Sequence, residues 1–158
     1  ALQDLGMHRK VQLIVSGGIR SGADVAKAMA LGADAVAIGT AALIALGDND
    51  PVHEEEYQKL GTTSDAYDDW HEGRDPAGIT TQDPELSKRF DPVLGGRRLK
   101  NYLKVMTLEA QTIARACGKN HLHNLEPEDL VSLTIEAAAM AGVPLAGTNW
   151  IPGRNGGF

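Results

Sequence analysis

The chain has 158 residues, a formal net charge of −6 and scattered lysines and arginines, which exclude the basic stripe typical of proteins that bind nucleic acid. No apolar run approaches the roughly 18 residues that a membrane-spanning helix needs, and no signal-peptide pattern opens the chain, so we expect a cytoplasmic protein. The single cysteine, Cys117, excludes an intrachain disulfide and any cysteine-rich metal or iron–sulfur site built from this chain alone.

The first predicted elements are a strand, a glycine turn, a helix and a second strand. Residues 13–15 are a short apolar run, the glycine turn covers residues 16–22, and apolar residues at helical spacing follow the turn. Residues 35–38 are a second apolar run, which ends on the small pair at 39–40 before another apolar helical stretch at 41–46. Two strand ends with exposed backbone amides would therefore lie side by side.

Two glycine turns at this spacing favour a phosphate-binding site. Glycines let the backbone approach a ligand, and the N-terminus of a following helix offers unpaired N–H groups and a partial positive charge. The alternative is that Gly17 and Gly18 merely permit a tight turn between strand and helix. In (β/α)₈ barrels a phosphate site is frequently built from the loops after the last two strands, so the repeated pattern favours phosphate binding.

The chain is too short for a whole barrel, which needs on the order of 250 residues. It opens without an initiator methionine, on residues typical of the end of a helix that runs into a strand. We therefore predict an α/β fold in which residues 1–47 form the last two βα units of a (β/α)₈ TIM barrel. The chain would be the C-terminal part of a longer polypeptide or one piece of a split barrel.

Residues 48–96 are predicted to be a loop region with little regular structure. A short charged helix is expected at 52–60, and a long irregular segment follows from 61 to 84. Asp83 and Pro84 are the residue types of a helix cap and a first helical position, which predicts a short helix behind them.

Residues 97–158 are predicted to be a helical extension with a loose tail. The pair Gly95-Gly96 precedes a strong amphipathic helix, which Gly118 closes. A further helix is expected from Pro127 to Met140. The apolar face of the first of these helices carries Leu99, Tyr102, Leu103, Met106, Ala110, Ile113, Ala114 and Cys117.

Two groups of residues have the types that bind metals, but a solvated acidic loop is favoured for the first group and a structural role for the second. Hard-metal sites need carboxylates that converge from fixed positions, and nothing in the sequence of the long loop fixes its carboxylates in place. His121 and His123 would share a face if extended, but no third or fourth ligand stands at a suggestive spacing. We therefore predict no metal site. The acidic group in the long loop consists of Asp65, Asp68, Asp69, His71 and Asp75.

Longer motifs carry a resemblance to a known family. Residues 16–40 resemble the terminal repeats of the flavin mononucleotide (FMN) barrels and of IMP dehydrogenase, which share a Gly-Gly turn after one strand and a glycine-containing turn after the next. The continuation at 39–43 and the block HxGRxPxGITTQDPEL at 71–86 resemble the synthase domain of glutamate synthase. The segment 97–153 is more particularly similar to the glutamate synthase-like proteins related to the large subunit of methylamine–glutamate N-methyltransferase (N-methylglutamate synthase).

The resemblance implies an FMN-dependent oxidoreductase that forms glutamate or N-methylglutamate by amination and reduction. An acidic residue often precedes the Gly-Gly pair in such barrels, and a serine stands there in this chain. The residues that grip 2-oxoglutarate and the flavin ring belong mostly to earlier strands, so we assign no catalytic residue and expect this piece alone to be inactive. By family analogy, the FMN phosphate would be held, mainly through backbone amides, by Ser16, Gly17, Gly18, Ile19, Gly39 and Thr40.

The resemblance also predicts that this chain lacks an iron–sulfur cluster. In glutamate synthases, three cysteines ahead of the Thr-Gln-Asp-Pro block carry a [3Fe-4S] cluster, and their spacing corresponds to Ser64, Trp70 and Asp75. Such clusters need thiolate ligands, so no iron–sulfur cluster is expected here. The loop would be retained as architecture, without a route through it for electrons to the flavin.

The implied partners are the remaining part of the barrel on the same or another chain, a glutamine amidotransferase-like subunit or domain, and a small amino- or keto-acid substrate, in an oligomer. Whether the amine is ammonia or methylamine stays open. Two other functions also stay open. One is a barrel enzyme of the IMP dehydrogenase type that holds a phosphorylated metabolite without flavin. The other is a non-catalytic scaffold subunit whose strand edges a partner covers.

Overall fold

A computed structural model describes residues 2, 4–8, 10–64 and 73–154. Within this part of the chain the strands are β1 (Ile14–Ser16) and β2 (Ala35–Ala37), and 3₁₀ turns lie at Pro51–His53, Leu122–Asn124 and Pro127–Asp129. The helices are α1 (Gly22–Ala30), α2 (Thr40–Leu46), α3 (Glu54–Lys59), α4 (Pro84–Ser87), α5 (Pro92–Ala116) and α6 (Ile135–Ala141). No described helix has both the length and the apolar character needed to cross a membrane.

Strands β1 and β2 pair in parallel, with α1 between them in the chain. Their register places Ile14 opposite Ala35 and Ser16 opposite Ala37, so the two carboxyl ends share one edge of the sheet. The helix ends because Gly32 adopts a positive φ of 104° two residues beyond it. The predicted order of strand, glycine turn, helix and strand is confirmed, in an α/β arrangement with a small parallel sheet.

The two faces of this sheet are covered differently. Val15, in the middle of β1, packs against a cluster of buried apolar side chains, whereas its neighbour Ile14 is 68% exposed. In β2 the middle residue, Val36, is likewise half-buried between two exposed neighbours. Alternation along a strand places these exposed side chains on the face away from the buried cluster.

The described residues fall into two compact units. The first comprises Ala1–Ala37 and Met106–Phe158, and the second comprises Ile38–Val105. In the second unit, two of the fully buried side chains, Asp48 and Asp75, are carboxylates, which are rarely buried. The core of the first unit is rich in small side chains, which allow helices to pack closely, and consists of Ala26, Met29, Ala30, Ala33, Ala114 and Leu125.

Helix α5 begins at Pro92, so Gly95 and Gly96 lie inside it, and the prediction that they precede the helix was wrong. Asp91 sets the start, because its Oδ1 accepts hydrogen bonds from two N–H groups of the first turn at 2.8 and 3.1 Å. At Gly95 a Cβ would lie 2.5 Å from the ring of Phe90. Glycine is therefore required at residue 95 because a side chain would clash with Phe90, and not because the backbone turns there. On the predicted apolar face, Leu103 is 41% exposed and departs from the prediction.

The helix predicted from Pro127 to Met140 is interrupted. A 3₁₀ turn at Pro127–Asp129 is followed by extended backbone, and α6 starts only at Ile135. The interruption arises because Ser132 forms a parallel bridge with Leu145 and its N–H donates to the carbonyl of Pro144 at 2.8 Å. A tertiary contact thus overrides the helical periodicity of the sequence.

Candidate functional site

The glycine turn after β1 is the centre of the candidate site. Gly17 and Gly18 have φ values of +100° and +68°, a region that favours glycine, and a Cβ on either would meet nothing within 4 Å. The turn is exposed at both glycines, whereas Ile19 behind them is buried at 8% exposure. The glycines are therefore selected by backbone conformation, and the space above them is open to a ligand.

The backbone amides of this turn are available as donors. In the described part of the chain, the N–H groups of Gly17, Gly18 and Ile19 form no hydrogen bond. Successive free N–H groups in a turn form a concavity that binds anions. A phosphate group would therefore fit this turn, and the fit depends on no charged side chain.

The N–H groups that follow are already engaged within the protein. The N–H groups of Arg20 and Ser21 donate to Asp24 Oδ2 at 3.1 and 3.2 Å, and the Ser21 hydroxyl accepts from the Asp24 N–H at 3.3 Å. This reciprocal pair is a capping box. The ammonium of Lys27, followed by the Arg20 N–H, lowers the pKa of Asp24 to about 2. The start of α1 is thus held by a carboxylate that stays ionised in mild acid.

The next amide, that of Gly22, is bound by a residue distant in sequence. Its N–H donates to Oε2 of Glu109 on α5 at 2.6 Å. Sequence reasoning missed Glu109, because nothing in the local pattern around it distinguishes it from other exposed glutamates of an amphipathic helix. The only local signal for this contact is Gly22 itself, because a glycine at the start of a helix can indicate close packing against another element.

Gly39 and Thr40 belong to the second unit. Gly39 precedes α2 as its cap residue and supplies no side-chain hydrogen bond to the helix. Both residues are exposed, and within the described ranges no acceptor is bonded to their N–H groups. They therefore offer free backbone donors of the kind predicted, on a helix only seven residues long.

A buried carboxylate organises the loop that precedes α4. Asp75 has no exposed surface and accepts hydrogen bonds from the N–H groups of Ala77, Ile79 and Thr80 at 2.8–3.0 Å. The hydroxyls of Thr80 and Tyr57 also donate to it, at 3.0 and 2.9 Å. Burial raises the pKa of Asp75, but the hydrogen bonds from these donors outweigh burial and hold the pKa below its ordinary value of 3.8.

Tyr57 joins this loop to α3. Its side chain is 2% exposed, and its hydroxyl lies 2.9 Å from Asp48 Oδ1 as well as from Asp75 Oδ1. Burial, followed by the two neighbouring carboxylates, raises the pKa of the Tyr57 hydroxyl. Tyr57 is therefore a protonated structural donor in this unit.

The three positions at which the resemblance places iron–sulfur ligands carry no cysteine. Of the three, Ser64 and Asp75 are described, while Trp70 lies outside the described residues. The oxygens of Asp75 accept five hydrogen bonds, four from its own loop and one from the Tyr57 hydroxyl on α3. The residues present therefore do not fit an iron–sulfur cluster, whose ligands are thiolates.

Only some of the candidate metal ligands belong to the part of the chain that the structure describes. Asp65, Asp68, Asp69 and His71 lie outside the described residues, and no group of three or more ligating side chains occurs among the residues that are described. His121 and His123 stack, with ring centroids 5.1 Å apart, on a 3₁₀ turn rather than on a strand. His123 Nε2 lies 3.1 Å from the carbonyl oxygen of Asp34, which ties this turn to the start of β2.

Comparison with known proteins gives one family. A family model described as the conserved region in glutamate synthase matches residues 1–50 and 65–120. The glutamate synthase large subunit-like protein of Rhizobium meliloti (strain 1021) is 86% identical over 154 residues, which cover 98% of this chain and 35% of that relative. No solved structure matches the chain.

More distant relatives carry related names. The archaeal glutamate synthase (NADPH) of Methanocaldococcus jannaschii is 42% identical over 124 residues, covering 78% of this chain and 21% of the relative. The ferredoxin-dependent glutamate synthase 1 of Arabidopsis thaliana is 32% identical over 120 residues, covering 76% and 6% respectively. The chain thus spans about a third of the length of the Rhizobium protein and less of the others.

Proposed function

Because the chain belongs to the glutamate synthase family, we propose that it supplies the last two βα units and the helical extension of an FMN-dependent (β/α)₈ barrel enzyme of amine metabolism. The parallel strands support this proposal, because their carboxyl ends share an edge and active sites of such barrels lie at those ends. The exposed face that carries Ile14 would be the barrel interior, covered by strands from the rest of the protein.

The single observation that carries the proposal is the glycine turn with its free amides. The N–H groups of Gly17, Gly18 and Ile19 would hold the phosphate of FMN, and the hydroxyl of Ser16 would stand beside them. Backbone donors suit a phosphate because they can donate to its oxygens and do not themselves titrate. When bound, FMN supplies hydride transfer, which no side chain can perform.

Gly39 and Thr40, which belong to the second unit, are also proposed to bind phosphate, on the ground of the family resemblance. Their amides are free among the described residues, and their place directly after β2 is the place of the second phosphate loop in barrels of this kind. Their contribution is separate from that of the turn after β1 and is tested by its own substitution, Gly39→Ala.

The proposed reaction is reductive amination of 2-oxoglutarate. One amine, two electrons and two protons are consumed, and an amino acid and water are released, so that ammonia gives glutamate and methylamine gives N-methylglutamate. The residues that bind the keto acid would belong to the rest of the barrel, on the same or another chain. An amidotransferase-like subunit or domain and an oligomeric state belong to the same proposal.

The function is tested with the full-length protein and its accompanying chains. The FMN-loaded protein is incubated anaerobically with a chemical reductant, 2-oxoglutarate and either ammonium or methylamine, and products are identified by mass spectrometry. We expect glutamate or N-methylglutamate, with the favoured amine showing the higher kcat/KM. Protein from which FMN has been removed is the control and should form neither.

The remaining outcomes separate the alternatives. Binding of FMN without either product would overturn the amination chemistry while leaving the flavin site intact. Failure to bind FMN, together with binding of a phosphorylated metabolite, would favour the IMP dehydrogenase type. Binding of neither in the assembled protein would favour a scaffold subunit.

A further inference from the structure

The contact between Glu109 and Gly22 joins two distant parts of the first unit. Glu109 lies on α5, and its Oε2 accepts the N–H of Gly22, the first residue of α1, at 2.6 Å across 87 positions of sequence. Hydrogen bonds to an ionised carboxylate are shorter and stronger than those between neutral groups. This contact therefore fixes the start of α1 more firmly than an ordinary cap would.

The backbones of the two helices meet at the same point. A Cβ on Gly22 would collide with the carbonyl oxygen of Met106 and would lie 2.5 Å from the nitrogen of Ala110. Any side chain at residue 22 would therefore push α1 away from α5 and draw its N–H away from Glu109. The contact needs the glycine as well as the glutamate.

These two residues anchor one end of the candidate phosphate turn. At its other end, Ser16 is held in the sheet opposite Ala37. Between these anchors lie residues 17–21, and hydrogen bonds to Asp24 hold the N–H groups of the last two of them. The directions of the Gly17, Gly18 and Ile19 amides consequently depend on where Glu109 holds Gly22.

Glu109 also decides which amides an anion can reach. The N-terminus of a helix attracts anions, but the carboxylate of Glu109 already occupies the Gly22 N–H. An incoming phosphate is thereby confined to the turn. We propose that Glu109 is a positioning residue that aims the amides of Gly17–Ile19 at the FMN phosphate and closes the start of α1 to it; this inference rests on the proposed FMN site.

The test uses the full-length protein with Glu109→Ala and Glu109→Gln. Two quantities are measured: the Kd for FMN by fluorescence titration of the apoprotein, and hydrogen–deuterium exchange of the peptide that contains residues 17–21 without FMN. We expect Glu109→Ala to weaken FMN binding about tenfold and to speed exchange in the turn, since a charge-assisted hydrogen bond is lost. Glu109→Gln keeps an acceptor oxygen and should stay within about threefold of wild type.

Ile113→Ala is the matched control, because Ile113 lies on the same helix and packs against the core cluster, while the atoms nearest to a Cβ at Gly22 belong to other residues. It should lower Tm at least as much as Glu109→Ala while leaving the Kd for FMN unchanged. A Kd for FMN that rises in step with the loss of Tm in both variants would show a merely structural role and overturn the proposal. Wild-type affinity and exchange in Glu109→Ala would overturn it too.

The proposal is separable from the proposed function. If wild-type protein bound no FMN, the flavin function would fail, but faster exchange of residues 17–21 in Glu109→Ala would still support the anchoring of the turn. If Glu109→Ala did not fold, Glu109→Asp would replace it, since its shorter side chain keeps the charge but cannot span the contact. An exchange rate for Glu109→Asp equal to that of Glu109→Gln would then overturn the proposal.

Discussion

At residue 22, the lack of a side chain lets the first turn of α1 rest on the backbone of α5. The atoms that a Cβ would meet include a carbonyl oxygen and an amide nitrogen of a helix, which cannot step aside as the tip of a side chain can. Glycine is costly inside a helix because it loses more backbone freedom on folding, so its presence here indicates that close approach is worth that cost.

We expect Gly22→Ala to lower the free energy of unfolding of the full-length protein by about 1–3 kcal/mol, because an overpacked contact forces the backbones apart. Gly96→Ala is the control. Gly96 lies inside α5, and a Cβ there would meet nothing within 4 Å. This substitution should raise the free energy of unfolding by about 0.5–1 kcal/mol. Urea unfolding of both variants checks the prediction, and a shared sign would contradict it.

Asp75 makes the stability of the second unit depend on pH. Its pKa is held below the ordinary value of 3.8 in the folded protein, so its contribution to stability is fully present above that value. The contribution is lost as the pH falls below 3.8 toward the lower folded pKa, because the unfolded chain then binds the proton first. The five hydrogen bonds that Asp75 accepts are the physical reason.

We expect Asp75→Asn to destabilise the protein by about 1–3 kcal/mol near neutral pH, since buried N–H donors lose their acceptor. The difference from wild type should shrink as the pH is lowered through 3.8. Urea midpoints measured from pH 6 to pH 3, a range of about three units around the ordinary aspartate pKa, check this. Glu85→Gln is the control, because the Glu85 side chain is 82% exposed and should show no such trend. A constant difference for Asp75→Asn would contradict the account.

At the residue scale, sequence reasoning identified residue types but not long-range partners. Gly17 and Gly18 could be predicted, because glycines after a strand signal a special backbone conformation locally. Glu109 and Tyr57 could not, because each acts through a contact that exists only after folding. The acidic residue at 75 was predicted to be solvated, whereas it is fully buried.

Among the elements, the turn between β1 and α1 combines open space with a backbone conformation that glycine adopts readily and other residues do not. We expect Gly18→Ala and Gly118→Ala each to cost about 1–2 kcal/mol of stability, because both glycines have positive φ, of 68° and 74°, and open surroundings. Only Gly18→Ala should weaken FMN binding, by about tenfold, since its methyl group would enter the space above the free amides. Fluorescence titration of the two variants checks this. Equal Kd values for FMN in the two variants would show that the turn does not contribute to flavin binding.

The elements themselves were predicted where local signals are strong. The strand, turn, helix and strand from 13 to 38 follow from short apolar runs and glycines, and Asp83 caps α4 as expected. The start of α5 was missed because Asp91, rather than the glycine pair, caps it. The second predicted helix failed because the bridge between Ser132 and Leu145 is a tertiary contact that periodicity does not reveal.

For the whole molecule, the exposed sheet face is the feature that most needs an explanation. In the proposed barrel, strands from the rest of the protein would cover this face. We therefore expect Ile14→Asp to destabilise the full-length protein by about 3 kcal/mol or more, although Ile14 is 68% exposed here, because it would bury a charge. Val93→Asp is the control: this 81% exposed side chain lies in the first turn of α5, where an acidic residue is favoured. Thermal unfolding checks both, and equal Tm values would contradict the barrel.

The visible absorption spectrum of the full-length protein, purified with its accompanying chains, tests the central claim most directly. The chromophore is then released with acid and identified, and iron is assayed in the same sample. The account predicts the bands of oxidised flavin, release of FMN and no iron. A colourless, fully assembled protein that cannot be reconstituted with FMN would contradict it.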